Sequence, residues 1–550
     1  MSRRAAPLAV IALMVGLLTG CASTDPFAHA PIAQHLTRDD GVGECARLLR
    51  QLDREVVAAG ARDAQDTVVP GFPYLRVDRL HASLGASLRV SPRASPRASA
   101  EDPARFARWR ARLLQLDRAA RAHELRNAGV AAGPVHAALG IDACRQILLD
   151  ADDAPAAQAA LRAAAQVPDD YSTLLRAAGL YPLTRLPFAA GIRGWHAQTR
   201  ATFSQPLDAL PVTGRLVSYA LEADAARALD APWVGDRGRA RAPEAAVTPI
   251  TRDALGLPQV ESLAALLARH APLLQVDESG AFDRIGPLAF TAASGAEPRI
   301  TVDLDAAPVA YVRLTHGRLG RVLRPQLVYT FWFPARPKDG PLDLLGGELD
   351  ALIWRVTLDD DGHALAYDSI HACGCYHLFF ATERVQARPD EPALRGALDE
   401  GLFMPQPPLT VPRADERVVL RVASRSHYLQ RVLLQPAAAL PPAALGYRLR
   451  DEDELRSLPL PGASGPRRRS AYDDSGMIPG SERLERFFFW PMGIASAGQM
   501  RQWGRHATAF VGRRHFDDPD LLDRYFVIAA PSTAPVASAA GPRSPNLIPE

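Results

Sequence analysis

The sequence predicts an α+β protein, in which a helical N-terminal domain precedes a mainly antiparallel β-domain and a mixed C-terminal region. Three patterns support this class: apolar residues recur at helical spacing early in the chain, runs rich in aromatic and β-branched residues fill its middle, and a turn containing Asp-Gly joins two of these runs. We expect the helical domain over 45–205, the β-domain over 206–440, the mixed region over 441–529 and a disordered tail over 530–550.

The first residues predict an export signal. Arg3 and Arg4 precede an apolar run from Pro7 to Leu18, and small residues follow that run. The apolar run covers about a dozen residues, whereas a helix that spans a bilayer needs roughly 20. The signal peptide is therefore predicted over 1–20, and its last residues complete the stretch Leu18-Thr19-Gly20-Cys21.

This stretch resembles the lipobox of bacterial lipoproteins. The resemblance implies that Cys21 carries the lipid and becomes the first residue of the mature protein, so the membrane is a partner through an acyl anchor. Ala22 stands where an aspartate would retain such a protein at the inner membrane, so the resemblance implies the outer membrane and its periplasmic side. Residues 21–44 are polar and lack periodicity, which predicts a tether.

Composition limits the classes of partner. Removing Arg3 and Arg4 from the 63 basic residues leaves 61, equal to the 61 acidic residues, which gives no reason to expect nucleic acid as a partner. The chain contains no P-loop, no dinucleotide-binding Gly-x-Gly-x-x-Gly and no His-Glu-x-x-His motif.

Helical spacing begins at Cys45, after which Leu48, Leu49, Leu52 and Val56 fall on one face. The same periodicity returns over 103–125, 132–149 and 154–165. The proline-punctuated stretch 180–188 favours a packed linker between domains, with the wall of a binding groove as the alternative.

Strand-like runs begin near residue 299. The runs 351–358 and 364–370 flank Asp359-Asp360-Asp361-Gly362, which predicts a β-hairpin. Further strands are predicted at 417–423 and 427–434, and a helix is predicted near 497–511.

The cysteines indicate an oxidising compartment. Once Cys21 is lipidated, four remain, and an even number in the periplasm favours disulfide bonds. Cys45 and Cys144 both lie on predicted helices and are candidates for pairing, although sequence alone leaves three pairings open for Cys45, Cys144, Cys373 and Cys375.

The stretch His371-Ala372-Cys373-Gly374-Cys375-Tyr376-His377 is the first candidate site. If the strand continues through it, all four ligand-type side chains share one face, and thiolate with imidazole suits zinc or copper(I). A reactive thiol at Cys373 or Cys375 is a second possibility, with either histidine as its base, and a structural disulfide is a third. His316 and His427 adjoin predicted strands and could complete this site, although such histidines are more often ordinary packed residues.

The second candidate site is a segment dense in arginine and histidine near the C-terminus. Its arginines suit an anionic ligand, and its histidine next to carboxylates could act as an oriented general base, whereas the alternative is a solvated basic face. The candidate anion-binding residues are Arg501, Arg505, Arg513 and Arg514, and the candidate catalytic pair is His515 with Asp517.

Two hypotheses for function follow. The first is a lipid-anchored envelope protein with a metal-binding or thiol centre at the His-x-Cys-x-Cys-x-His stretch. The second is a structural or interaction lipoprotein whose remaining cysteines are all disulfide-bonded and whose helical domain binds an envelope protein.

Overall fold

The fold is given by a computed structural model that describes residues 25–88, 103–129, 140–222, 249–291, 297–390, 399–439, 444–462 and 467–529. It contains both helices and strands, and a large mixed sheet, as an α+β class predicts. In the part of the chain so described, no helix combines the length and apolar composition needed to cross a bilayer. Cys21 and the tail 530–550 lie outside the described residues.

The helices are concentrated before residue 205. In chain order they are α1 (Ile32–His35), α2 (Gly41–Ala58), α3 (Arg79–Ser87), α4 (Pro103–Asn127), α5 (Ile141–Ala151), α6 (Pro155–Ala164), α7 (Thr173–Ala178), α8 (Tyr181–Ser204), α9 (Leu263–His270), α10 (Arg486–Phe489) and α11 (Leu521–Tyr525).

The strands fall mainly after residue 215. In chain order they are β1 (Thr67–Val69), β2 (Phe72–Val77), β3 (Arg215–Leu221), β4 (Thr251–Arg252), β5 (Pro258–Gln259), β6 (Leu273–Glu278), β7 (Leu288–Thr291), β8 (Arg299–Val302), β9 (Val309–Leu319), β10 (Val322–Arg336), β11 (Gly347–Leu358), β12 (Ala364–His371), β13 (Leu378–Ala381), β14 (Val385–Ala387), β15 (Glu416–Val422), β16 (Leu429–Pro436), β17 (Leu445–Asp451), β18 (Leu458–Pro459), β19 (Arg468–Arg469) and β20 (Phe526–Ile528).

A disulfide joins two helices of the N-terminal part. Helix α2 begins after Asp40, whose carboxylate accepts a hydrogen bond from the amide of Gly43, and its apolar face is buried as the periodicity predicts. Cys45 on this face is bonded to Cys144 on α5, which confirms both as disulfide cysteines and selects one of the three possible pairings.

The tether prediction for 21–44 is wrong for the residues that the structure describes. Residues 25–44 are folded, and Phe27 and Ile32 lie in the core of the N-terminal part. The sequence pattern did not identify Phe27 and Ile32 as core residues, because a helix as short as α1 has too few residues to show an apolar periodicity.

Ten strands form one mixed sheet in the order β13-β12-β11-β10-β9-β17-β3-β6-β15-β16. The β11–β12 hairpin pairs in antiparallel register from Leu352 with His371 to Leu358 with Ala364, as predicted. Strand β17 lies beyond the expected limit of the β-domain, yet it inserts in parallel between β9 and β3. The sheet is therefore assembled from distant segments and is not a simple succession of hairpins.

The sheet curls around a single core. All ten strands contribute buried apolar side chains to this core, and α9 adds Leu266 and Leu267. The outer face of β9 to β12 packs against the C-terminal loops through side chains such as Trp332, Ile370 and Phe516. The helix predicted near 497–511 is wrong: this segment forms turns, with Gly498 and Gly504 at positive φ, a conformation that glycine adopts easily.

Candidate functional site

The two ends of the curled sheet approach each other beneath helix α8. Strands β11 to β13 form one wall of the gap, and the end of β15 with the start of β16 forms the other. We call this gap the seam. It contains a cavity of about 200 Å³, and α8 covers it with Trp195, Gln198, Thr199 and Thr202.

The stretch 180–188 is accordingly not a linker, because all of its residues after Leu180 belong to α8. The four covering residues of α8 have the spacing i, i+3, i+4 and i+7, which places them on one helical face. Three of them are polar: Gln198 is exposed, and Thr199 and Thr202 are half-buried, so this face offers neutral polar groups at the rim of the cavity.

A buried chain of carboxylates and imidazoles leads into the cavity. Asp350, near the start of β11, has its Oδ1 3.1 Å from Nδ1 of His371 and its Oδ2 2.9 Å from Nδ1 of His427. Nε2 of His427 lies 3.4 Å from Oδ1 of Asp283, an ion-pair distance. His371 lines the cavity, and no described residue hydrogen-bonds to its Nε2.

The pKa shifts of these buried aspartates and histidines indicate their charges. Burial would raise the pKa of Asp350, but His371 and His427 outweigh burial and hold that pKa well below its usual value. Burial would lower the pKa of His427, but Asp283 and Asp350 on either side raise it above its ordinary value. The two carboxylates therefore favour the imidazolium form of His427, and Asp350 accepts a hydrogen bond from Nδ1 of His371.

Strained backbone conformations cluster around these buried aspartates and histidines. The described residues include seven non-glycine residues at positive φ, and four of them flank the site: Leu349, Tyr376, Arg425 and His427. Such conformations cost of order 1–3 kcal/mol each and persist only where the surrounding structure holds them, typically at functional sites. Here the Arg425 amide donates to Asp283 at 2.6 Å, and the ring of His427 stacks on Phe333 at 3.9 Å.

An aromatic wall stands beside His371. The rings of Tyr376 and Tyr428 lie 5.0 and 5.6 Å from the imidazole, and Trp195 lies 5.4 Å from Tyr376. Arg336 donates a hydrogen bond of 3.0 Å to the hydroxyl of Tyr428. Burial raises the pKa of both tyrosines, so their hydroxyls stay protonated at neutral pH.

The four residues predicted as metal ligands do not form one ligand set. His371 is directed to Asp350, whereas Nε2 of His377 lies 2.8 Å from Oδ2 of Asp368, a carboxylate that also binds Arg355. The strand ends at His371, and Gly374, at a φ of +90°, turns the chain, so the alternation that would align the four side chains is lost.

The two thiols of this turn are free and adjacent. Cys373 is buried and Cys375 is partly buried, so the hypothesis that every cysteine is disulfide-bonded is wrong in this structure. A hydrogen bond to Cys373, together with burial, raises the pKa of Cys375 well above its ordinary value. Cys375 is thus held as a thiol, which disfavours it as a thiolate nucleophile. Neither histidine is directed to it as a base, because both bind carboxylates.

The predicted arginine site is dispersed. Arg501 donates to the carbonyl of Ala495 at 2.5 Å, and Arg505 donates to the carbonyl of Ala64 at 2.6 Å. Arg513 pairs with Asp169, and Arg514 donates to the carbonyl of Thr508. Because all four guanidinium groups hold loops in place and point to different partners, they do not form an anion site.

His515 and Asp517 do not form the expected pair. Nε2 of His515 lies 3.3 Å from a carboxylate oxygen of Asp169, and burial lowers the pKa of His515 to about 4. Asp517 accepts a hydrogen bond of 3.2 Å from Arg79, while burial raises its pKa to about 6. Asp517 thus joins the C-terminal loops to α3, and His515 joins them to the segment before α7.

Within the described ranges, one group of three side chains has the spacing of a metal site: Asp359, Asp361 and His363, with ligand atoms within 4.8 Å of one another. These residues form the β11–β12 turn, where Asp359 already accepts hydrogen bonds from the amides of Asp361 and His363 and from Arg384. The turn itself accounts for their proximity.

The seam is therefore the best candidate site, and sequence reasoning found only part of it. His371 and His427 were singled out, but Asp350 and Asp283 were not, because a single aspartate in a strand or a turn carries no local pattern. Comparison with known proteins adds no assignment: no protein-family model matches the chain, and neither a curated protein nor a solved structure is similar to it.

Proposed function

We propose that this chain is a lipid-anchored envelope hydrolase whose active site is the seam, and that it cleaves an ester of a small, uncharged, hydroxyl-rich molecule. The observation that carries the proposal is the placement of His371, which is held by the Asp350 carboxylate through Nδ1 and lines the cavity. A histidine oriented by a buried carboxylate is the usual arrangement of a general base.

The lining of the cavity supports the class of ligand. Apart from His371, it offers aromatic rings, aliphatic side chains and neutral hydroxyl and amide groups, with no Asp, Glu, Lys or Arg among the lining residues described. Its volume of about 200 Å³ lies below the roughly 300–1,000 Å³ of pockets for drug-sized ligands. A single sugar-like ring, stacked on an aromatic side chain, matches these features.

The same lining favours ester cleavage over glycosidic cleavage. Glycosidases use two carboxyl groups that flank the bond, whereas the described lining presents none to a ligand. Ester hydrolysis requires a base for water and a donor for the carbonyl oxygen, and the seam offers His371 for the first and Tyr428, polarised by Arg336, for the second.

The proposed reaction is direct attack by water. Nε2 of His371 takes a proton from a bound water, and the water oxygen bonds to the ester carbonyl carbon while the hydroxyl of Tyr428 donates to the carbonyl oxygen. The C–O bond to the alcohol then breaks, and the imidazolium returns its proton to the alcohol oxygen. Asp350 stabilises the imidazolium between these two transfers, as a carboxylate does when it orients a histidine.

Replacing His371 tests this proposal. We expect the protein to release acetate from 6-O-acetylglucose, an uncharged sugar with a single ester and free hydroxyls, and His371→Asn to lower the rate by about 10²- to 10⁴-fold, the usual contribution of a general base. The control is His196→Asn, which changes a histidine of α8 that stacks on Phe403 and does not line the cavity. Equal rates for the wild type and His371→Asn, with both chains folded by circular dichroism, would exclude the proposed role.

The anchor is proposed from the sequence alone. The lipobox-like Leu18-Thr19-Gly20-Cys21 supports acylation of Cys21, and Ala22 supports placement at the outer membrane, facing the periplasm. An anchor of this kind leaves the folded body outside the bilayer.

Labelling with an alkyne analogue of palmitate in a bacterium with two membranes tests the anchor. We expect the wild type and the control Cys373→Ser to incorporate the label and Cys21→Ser to lose it. We also expect Ala22→Asp to shift the labelled protein from the outer to the inner membrane. Label retained in Cys21→Ser, or absent from the wild type, would refute acylation at this cysteine.

A further inference from the structure

Exposed apolar side chains gather on one face of the molecule, formed by α7, the first half of α8 and the segment from α10 to Trp490. Leu183 and Leu180 are 64% and 62% exposed, and Phe487 and Phe488 are 60% and 58% exposed. We call this face the apolar patch, and its members are Leu174, Leu180, Leu183, Leu186, Phe487, Phe488 and Trp490.

The two segments of the patch are directly packed together. The rings of Phe188 and Phe489 lie 5.2 Å apart, and Arg176 donates to the carbonyl of Met492 at 2.8 Å. A Cβ at Gly179 would also lie 2.5 Å from the Cβ of Pro491, so the segments that carry the exposed leucines and phenylalanines are neighbours. Single exposed apolar residues are ordinary on soluble proteins, whereas a contiguous group indicates an interaction site.

Helix α8 is weakly attached along this face. It contains 24 residues, but only Ala189 and Phe203 are buried. Its second half covers the seam, and its first half exposes Leu183, Leu186 and Pro187. Because Phe188 and Ile192 pack inward against Met492 and Val511, the outward leucines form a second, exposed apolar face of the helix.

The charged residues of the patch segments indicate the kind of surface that the patch binds. No aspartate or glutamate occurs between Asp170 and Asp208, or between Glu485 and Asp517. The patch segments instead carry Arg185, Arg193 and Arg486, and the guanidinium of Arg486 lies 4.8 Å from the ring of Phe487. Exposed leucine, phenylalanine and tryptophan beside arginine is the composition of surfaces that enter the headgroup region of anionic membranes.

We propose that the apolar patch docks the protein onto the surface of an anionic phospholipid bilayer, with Phe487, Phe488 and the leucines of α8 entering the headgroup region and the arginines facing lipid phosphates. This contact is independent of acylation at Cys21 and of the chemistry in the seam. Because α8 also covers the cavity, docking places the covering helix at the membrane surface.

Vesicle binding by the acyl-free mature chain, residues 21–550 with Cys21→Ser, tests the proposal without the anchor. We expect co-sedimentation with vesicles of phosphatidylglycerol and phosphatidylethanolamine at low salt. Binding to phosphatidylcholine vesicles should be weaker, and raising the salt should reduce binding to the anionic vesicles, because surface charges are screened.

The double variant Phe487→Ser/Phe488→Ser should bind the anionic vesicles at least about tenfold more weakly, as loss of two buried aromatic side chains predicts. Arg185→Gln/Arg193→Gln should weaken binding and flatten its salt dependence. The matched control is Val212→Ser/Leu342→Ser, which removes two exposed apolar side chains outside the patch, at 49% and 85% exposure, and should bind as the unmodified chain does.

Three outcomes would overturn the proposal: equal binding of the phenylalanine variant and the unmodified chain, equal binding to neutral and anionic vesicles, or no vesicle binding together with a dimer that the phenylalanine variant dissociates. The last result would assign the patch to a second copy of the chain. None of these outcomes depends on whether Cys21 is acylated or whether the seam hydrolyses esters.

Discussion

Asp350 determines the arrangement of the candidate site at the scale of a residue. One buried carboxylate binds two imidazoles, one facing the cavity and one facing Asp283. Removing a partner from a buried charge pair leaves an uncompensated charge, which costs more than the pair contributes. A positive charge on His427 therefore compensates both Asp350 and Asp283, whose pKa values are lowered.

The first prediction concerns the pH dependence of stability. The folded-state pKa of His427 is raised above its unfolded value of about 6.5. Its contribution to the free energy of unfolding is thus fully present below about pH 6.5 and is lost as the pH rises through the folded-state pKa. Chemical denaturation at a series of pH values upward from 6.5 should show this fall in the wild type.

His427→Gln should lower the free energy of unfolding by about 3–5 kcal/mol at neutral pH and remove this part of the pH dependence. His29→Gln, at an exposed histidine, is the control and should retain the wild-type slope. Asp350 and Asp283, whose pKa values are lowered, contribute above about pH 4 and lose that contribution only in acid, so they do not affect this window. An unchanged slope in His427→Gln would contradict the assigned charge.

At the scale of an element, the turn between β12 and β13 sets the position of His371. The amide of Gly374 donates to the carbonyl of His371 at 2.8 Å, and the amide of His371 donates to the carbonyl of Cys375 at 3.0 Å. Gly374 has a φ of +90°, and a Cβ there would lie 2.6 Å from the carbonyl oxygen of Ala507. Position 374 therefore requires glycine for two reasons: the backbone has a positive φ, and a Cβ would clash with the backbone of Ala507.

We therefore expect Gly374→Ala to destabilise the protein more than Gly480→Ala does. Gly480 has a similar φ of +87° but no atom within 4 Å of an added Cβ, so its substitution isolates the conformational cost of roughly 1–2 kcal/mol. In Gly374→Ala, the clash with the backbone of Ala507 should lower the free energy of unfolding by about 1–3 kcal/mol more. Thermal denaturation of both variants measures the difference, and equal losses would show that the close approach to Ala507 costs nothing.

At the scale of the whole molecule, the curled sheet brings distant segments together. Asp283, Asp350, His371 and His427 span nearly 150 positions of the chain, and they meet because the ends of a ten-stranded sheet approach each other. The C-terminal loops then cover the outer face and use Arg501, Arg505 and Arg514 for their own carbonyl contacts. Dense charge in a short segment predicted a ligand site, whereas the fold uses that charge to hold loops.

The sequence by itself determined what local patterns encode: the α+β class, helix α2 with its buried face, the β11–β12 hairpin, and the candidacy of Cys45, Cys144, His371 and His427. Only the tertiary structure decided that Cys45 pairs with Cys144, that His371 and His377 bind different carboxylates, and that β17 enters the sheet between β9 and β3. The physical reason is that periodicity and turn chemistry act over a few residues. Pairing across a sheet and the partner of a buried charge depend instead on which distant segments the core brings into contact.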